Sequence, residues 1–240
     1  DYLFHEAALV SVFDSVERPF DNHSINITGT LNVLSAAREH KVKRVVMASS
    51  AAVYGNDPVL PKTEKMLPRP ESPYALSKIT GEYYMRVFST LYDVETVSLR
   101  YFNVFGPRQD PSSMYSGVIS KFTDVLKKKE TPIIFGDGKQ TRDFVFVKDV
   151  VQANLLAMHS EKAGNGEAFN IATNRTCNLL ELLDTISNIL NLDIKPEFRD
   201  VRAGDIRHSY ASTERAKACL GYSPAYTLKE GLEALLAYND

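Results

Sequence analysis

The chain has 240 residues, 44% hydrophobic and 24% charged, an ordinary globular balance with enough apolar residues for a sizeable core. Its net charge of −2 disfavours nucleic acid or an anionic membrane as the main partner, and no apolar run approaches a membrane span. Cys177 and Cys219 lie far apart without metal-ligand spacing, as expected of two reduced thiols in a cytoplasmic protein.

In chain order, "DYLFHEAA" (1–8) reads as a buried strand running into a loop. "TGTLNVLSAAREH" (28–40) places Leu31, Leu34 and Ala37 at helical spacing. "KRVVMAS" (43–49) reads as a second strand. "PYALSKITGEYYMRVFSTLY" (73–92) reads as a long helix, with Ser72 as N-cap and Pro73 in its first turn. "ETVSLRYFNVFGP" (95–107) is a third strand running into a loop. This alternation predicts a parallel sheet with crossover helices.

Beyond Pro107 the rhythm changes. A helix is expected over 114–129, two short strands around a Gly-Asp-Gly turn over 132–150, a helix over 149–160 and a strand over 167–173. An amphipathic helix over 178–190, an extended stretch over 195–202 and closing helices over 212–221 and 227–239 follow. No internal repeat or low-complexity segment interrupts the pattern.

Tyr74 and Lys78 stand at i and i+4 of one predicted helix and so share a face. An ammonium near a phenol favours the phenolate, which predicts a lowered Tyr74 pKa and a proton carrier near neutral pH. Ser50 follows a predicted parallel strand, at the sheet edge where α/β proteins bind ligands, and could hydrogen-bond the same substrate oxygen. Alone, Tyr-x-x-x-Lys is a weak signal, more often a surface pair, and a loop serine more often satisfies nearby backbone.

The surrounding motifs supply the context. "HEAAL" (5–9), "NITGT" (26–30), "ASSAAVYG" (48–55), "SPYALSK" (72–78), "RYFNVFGPRQDP" (100–111), "GDGKQTRDFVFVKDV" (136–150) and "RAGDIRHS" (202–209) follow one another along the whole chain. In order and rough spacing they resemble the extended short-chain dehydrogenase/reductase family, specifically its nucleotide-sugar epimerases. The resemblance implies a doubly wound parallel Rossmann-type sheet with a smaller α/β substrate-binding lobe. Residues 1–107 would be the C-terminal part of an NAD-binding domain, with pieces of 136–172 returning to it, and 108–240 mainly the nucleotide-sugar lobe. It further implies a cytoplasmic homodimer joined through helices 28–40 and 73–92.

The resemblance also implies roles. Tyr74 would take the proton from a sugar 4-hydroxyl, Lys78 would hold the nicotinamide ribose and tune Tyr74, and Ser50 would bond O4. Ala7, Ala8, Asn26, Ala48, Ser49 and Tyr101, with Tyr74 and Lys78, would line the NAD site. Arg142 and Arg202 would grip the diphosphate, Asn103 the sugar–phosphate link and Asp205 a ribose hydroxyl. Ser11, Gly117, Val118 and Ser209 would form the sugar walls around Ser50.

Sister dehydratases place an acid just after the position of Ser50; here Ala51 and Ala52 stand there, and alanine cannot protonate a leaving hydroxyl. The position of Ser209 gates the 2-substituent in the epimerases, and its small size predicts acceptance of N-acetylated UDP-sugars beside UDP-glucose and UDP-galactose. Val10, where those relatives often carry glycine, would narrow the same box. "GDGKQTRD" lacks the Gly-Lys-Ser/Thr ending of a phosphate loop and reads as a turn that delivers Arg142.

In the family a strand, a glycine-rich turn and a helix come first, whereas "DYLFHEAAL" resembles the fourth strand. Roughly 70–80 residues of βα units would then precede Asp1 in a longer parent. Rival readings are a reductase or UDP-glucuronate 4-epimerase on the same scaffold, a nucleotide-sugar-binding module without catalysis, and an inert fragment. A threonine is usual in the glucuronate enzymes where Asn103 stands, which counts against that rival.

Overall fold

Tyr2–His5 forms β1, the outer strand of a four-stranded sheet ordered β1-β2-β3-β8 and parallel throughout. The structure is a computed structural model that describes residues 1–109, 117–201 and 207–238. Short helices α1 (Val12–Glu17) and α2 (Pro19–Asn22) lead into a π-helical turn over His23–Thr28 and then α3 (Gly29–Glu39). Strand β2 (Arg44–Ser50) passes through a 3-10 turn, Ala51–Tyr54, toward the long helix α4 (Pro73–Tyr92). Strand β3 (Glu95–Tyr101) follows, and β4 (Asn103–Phe105) leaves for a different pairing.

Next come α5 (Val118–Lys127), β5 (Ile133–Phe135), β6 (Thr141–Arg142), β7 (Phe144–Phe146) and α6 (Val147–His159). Strand β8 (Asn165–Ile171) closes the main sheet. The described chain ends with β9 (Cys177–Asn178), α7 (Leu179–Leu190), β10 (Glu197–Arg199), β11 (His208–Ser209), α8 (Glu214–Leu220) and α9 (Leu228–Ala237). Strand β5 pairs with β10, β6 with β11 and β9, and β4 with β7.

Strand β2 is covered on both faces, so Val45, Val46 and Met47 are all buried, whereas β3 alternates Val97 and Leu99 with buried polar Thr96, Ser98 and Arg100. Val46, Val97, Leu99, Phe169 and Ile171 pack with α6 and α8, while Val45 and Met47 pack with Leu34, Met85 and Phe88 of α3 and α4. Gly81 lets α4 approach closely: a Cβ there would meet Met47 Sδ at 3.1 Å. A separate cluster joins α5, α7 and α9 over β5 and β7 around Phe122, Leu182 and Leu232. Arg44 fastens the end of α6 to the sheet, its guanidinium donating to the carbonyls of Ala157, Met158, Ser160 and Ala163.

Helix α4 begins and ends where its sequence predicts, with Ser72 Oγ accepting from the Ala75 amide at 3.1 Å. Other expectations need correction. Strand β1 is buried on one face only: Leu3 packs against the α3–α4 cluster and His5 is buried, while Tyr2 and Phe4, on the opposite face, are exposed. The stretch 95–107 holds two strands, since Asn103–Phe105 turns away to pair with β7. The stretch 132–150 holds three short strands rather than two, β5 before Gly-Asp-Gly and β6 and β7 after it, each paired elsewhere in the chain. Helix α5 starts at Val118, and the earlier part of the expected helix lies outside the described residues. Helices α1 and α2 were not expected, since Val12, Phe13 and Val16 face outward and leave no core-facing period to read.

Candidate active site

Ser50 ends β2, and Tyr74 and Lys78 open α4, so one strand–helix crossover delivers all three to the carboxyl edge of the main sheet. Ser50 caps the 3-10 turn by accepting from the Ala52 amide at 3.2 Å, and its hydroxyl faces the Tyr74 phenol closely enough to favour the phenolate. Lys78 Nζ lies 5.8 Å from the centre of the Tyr74 ring and donates to the Ala48 carbonyl at 2.8 Å. Gly55 ends the turn at φ +57°, where a Cβ would meet the Arg69 carbonyl at 2.1 Å.

The expected lowering of the Tyr74 pKa is not what this protein shows. Burial raises it, and the Ser50 hydroxyl offsets only part of that rise. Burial likewise lowers Lys78 to about 8, against an upward pull from Glu6. Both groups sit in a pocket that penalises charge, so each holds its neutral form more readily than in water.

Around this triad, Ala7 and Ala8 lie in the loop after β1. Asn26, expected to face a cofactor, spends its amide elsewhere. Its Oδ1 accepts from the Leu9 amide at 2.7 Å, and its Nδ2 donates to Leu9 O at 3.0 Å and Ser77 Oγ at 3.1 Å. Asn26 therefore ties the Ala7–Ala8 loop to α4. Ser49 is also corrected: it is buried, and its hydroxyl donates to Glu82 Oε1 at 2.5 Å, because successive strand side chains point to opposite faces. Tyr101 neighbours Ser50 in the sheet register. Its hydroxyl donates to Glu6 at 3.0 Å and accepts from Asn154 at 2.7 Å. Burial of that carboxylate raises the Glu6 pKa.

Two residues beyond Tyr101, Asn103 opens a cavity of about 780 Å³ that Gly117, Val118 and Arg142 also line. Asn103 donates through its amide N–H and Nδ2 to the Asp143 carbonyl, at 3.2 and 3.0 Å. Asp143 Oδ1 accepts from the Thr173 amide and hydroxyl at 2.8 and 2.7 Å, which anchors Arg142 and Asn103 to the end of β8. Ser209 lies directly opposite Arg142 in the β6–β11 register. Ser11 instead caps α1, accepting from the Asp14 amide at 2.9 Å. Val10 is exposed, so its side chain narrows no wall among the described residues. Arg202 and Asp205 lie outside the described residues.

The same cavity is lined by residues that the sequence reading missed: Gln109, Lys121, Phe135, Gln140 and Arg199. Lys121 was within reach, one helical turn after Gly117; Arg199 enters through the β10–β5 pairing, which no local pattern announces. Ser50, Tyr74 and Lys78 do not themselves line this cavity; the link runs through Tyr101, opposite Ser50, to Asn103 on its wall. A proton carrier at the sheet edge and a cavity walled by Lys121, Arg142 and Arg199 suit a polyol that bears an anionic group.

A family model described as "NAD dependent epimerase/dehydratase family" matches residues 1–172. The UDP-glucose 4-epimerase of Mycolicibacterium smegmatis is 40% identical over 233 residues, covering 97% of this chain and 74% of that protein. Among solved structures, a UDP-N-acetylglucosamine 4-epimerase from Methanobrevibacter ruminantium, in complex with UDP-N-acetylmuramic acid, superposes with a TM-score of 0.95 at 38% identity. The UDP-glucose 4-epimerase of Thermotoga maritima with UDP-glucose gives 0.93 at 39% identity. Each match covers 99% of this chain and 76% of the other.

Proposed function

The chain belongs to the NAD-dependent epimerase/dehydratase family, and from that premise we propose that it interconverts UDP-hexoses differing in configuration at C4. The observation that carries this reading is the convergence of Ser50, Tyr74 and Lys78 at the sheet edge, with Lys78 Nζ 5.8 Å from the Tyr74 ring, and with β3 and β4 leading from Tyr101 opposite Ser50 to Asn103 on the wall of the cationic cavity.

The residues present fit the nicotinamide-ribose end of NAD. Lys78 carries three donors and spends one on the Ala48 carbonyl, leaving donors for ribose hydroxyls, and the loop that follows Glu6, a residue that acts on Lys78, continues into the small Ala7 and Ala8. NAD, when bound, supplies the acceptor and then the donor of the C4 hydride, so the cycle through a transient 4-keto sugar needs no external redox partner. Tyr74 takes the proton of the sugar 4-hydroxyl and returns it after the sugar has presented its other face. Ser50 hydrogen-bonds the same oxygen and favours the phenolate that burial disfavours, and an ammonium on Lys78, 5.8 Å from the Tyr74 ring, would favour it further. Arg142 holds the diphosphate, with Asn103 at the sugar–phosphate link. Ala51 and Ala52, in the turn after Ser50, offer no acid to expel a hydroxyl, which favours epimerisation over dehydration.

Small residues at Ser209 and Gly117 support acceptance of N-acetylated sugars. We assign residues 1–107, with pieces of 136–172, to the cofactor domain and 108–240 mainly to the sugar-nucleotide lobe. The chain pairs with a second copy through α3 and α4: Leu76, Tyr83, Val87 and Leu91 are exposed and recur along one face of α4. Unpaired Cys177 and Cys219 suit the reducing cytoplasm. The test is a panel of UDP-glucose, UDP-N-acetylglucosamine and UDP-glucuronate with NAD and no reductant. Formation of the C4 epimer of the first two supports the reading, and conversion of the glucuronate alone overturns it.

A further inference from the structure

We infer that the buried Glu82–Arg100 ion pair positions Ser50 against Tyr74 and Lys78, a role that rests on reading those three as the catalytic groups. Tyr74, Lys78 and Glu82 recur every fourth residue on α4 and form one stripe facing the end of β2. Glu82 Oε1 accepts from the hydroxyl of Ser49, the residue before Ser50, at 2.5 Å. Arg100, on the neighbouring strand β3, donates to both Glu82 oxygens, at 2.9 Å from Nε and 2.7 Å from Nη2. The end of β2 is thus fastened to the helix that carries its two partners.

The network continues on the other side. Arg100 Nη1 donates to the Tyr54 hydroxyl at 2.9 Å, at the close of the turn that Ser50 caps. Tyr54 in turn donates to Asn170 Oδ1 at 2.6 Å, and Asn170 Nδ2 donates to the Lys62 carbonyl at 3.1 Å. Both flanks of Ser50 are therefore held from one guanidinium. Arg100, Glu82, Ser49, Tyr54 and Asn170 are all buried.

Stability alone is a weak reason for such a pair. A buried ion pair gains little over apolar side chains of the same volume, because desolvation offsets its attraction. What apolar packing could not supply is the directed link to Ser49 and Tyr54. The groups bearing on the Tyr74 proton are Ser50 from β2, Lys78 from its own helix and, through Lys78, Glu6 and His5 from β1 and the loop after it. Of these, Ser50 is the one whose place the network sets.

Ser49→Ala removes the link and leaves both charges paired. Its readouts are kcat and KM for a UDP-sugar, and the titration of the Tyr74 Cζ carbon by NMR, assigned with Tyr74→Phe and needing no cofactor. The expected result is a kcat about tenfold lower at unchanged KM and a Tyr74 acid constant about threefold to tenfold smaller, since a displaced Ser50 no longer favours the phenolate. Ser49→Thr, which keeps the hydroxyl, is expected to restore both. The double variant Glu82→Leu/Arg100→Met is expected to repeat the Ser49→Ala result without leaving a charge unpaired. Wild-type kcat and Tyr74 titration in a folded Ser49→Ala or double variant would overturn the proposal, as would a lower kcat with the titration unmoved. An inactive wild type would count against the epimerase reading instead, and the Tyr74 titration would still decide the positioning role.

Discussion

Lys78 Nζ lies 5.8 Å from the centre of the Tyr74 ring, one turn along α4, and the Ser50 hydroxyl at the end of β2 acts on the same phenol. That hydroxyl works against burial, which otherwise keeps Tyr74 neutral. Tyr74→Phe is expected to lower kcat by about a thousandfold, within the usual span for loss of a positioned acid–base group, with the affinity for UDP unchanged by calorimetry. Ser50→Ala is expected to cost about one to two orders of magnitude, because one of two hydroxyls at the same oxygen remains.

Lys78 couples function to stability with a definite sign. Folding lowers its pKa from 10.5 to about 8, so between those values the unfolded chain binds more protons. Its contribution makes the fold more stable as pH rises through that window, and below about pH 8 the buried charge is a standing cost. Lys78→Met is therefore expected to abolish turnover while raising Tm at pH 7 by about 2–4 °C, with the gain shrinking toward pH 10.5. Calorimetric scans across pH check this. Glu6→Gln removes the charge that supports the ammonium and is expected to lower the Lys78 pKa further, measured by nitrogen NMR of labelled lysine.

How much of this was legible in the sequence depends on whether the signal is local. The Ser72-Pro73 cap gives the start of α4 to the residue, since both are short-range effects. The break between β3 and β4 was hidden, because Asn103–Phe105 is set by pairing with Phe144–Phe146 far along the chain. The triad could be named from spacing and resemblance, but the direction of the Tyr74 shift could not: burial depends on what packs around the phenol. Asn26 and Ser49 were misjudged for the same reason, their polar atoms being committed to Leu9 and Glu82 by tertiary geometry. Glu82, one turn past Lys78, was open to view, but its partner Arg100 is joined to it only by folding.

Ser209 lies opposite Arg142 where β11 meets β6, so a larger side chain there would fill space on the sugar wall proposed for this position. Ser209→Tyr is expected to reduce kcat/KM for UDP-N-acetylglucosamine by at least about tenfold relative to UDP-glucose, the scale on which a pocket discriminates by size. Side-by-side initial rates on the two sugars measure it.

The α4 face carries Tyr83, at 57% exposure, and Leu91, at 66%, whereas Met85 and Phe88 lie in the core beneath. Tyr83→Glu with Leu91→Glu is expected to convert a dimer to a monomer by light scattering while leaving the fold intact by circular dichroism. Two carboxylates in an apolar interface cannot be desolvated cheaply.

The most direct test of the central claim is incubation of the purified protein with NAD and UDP-N-acetylglucosamine or UDP-glucose, without reductant, followed by proton NMR of the sugars and absorbance of the cofactor. Accumulation of the C4 epimer to equilibrium is expected, with no net reduction of NAD, and loss of that conversion in Tyr74→Phe. A dehydrated sugar, stoichiometric NADH, or undiminished conversion by Tyr74→Phe would contradict it.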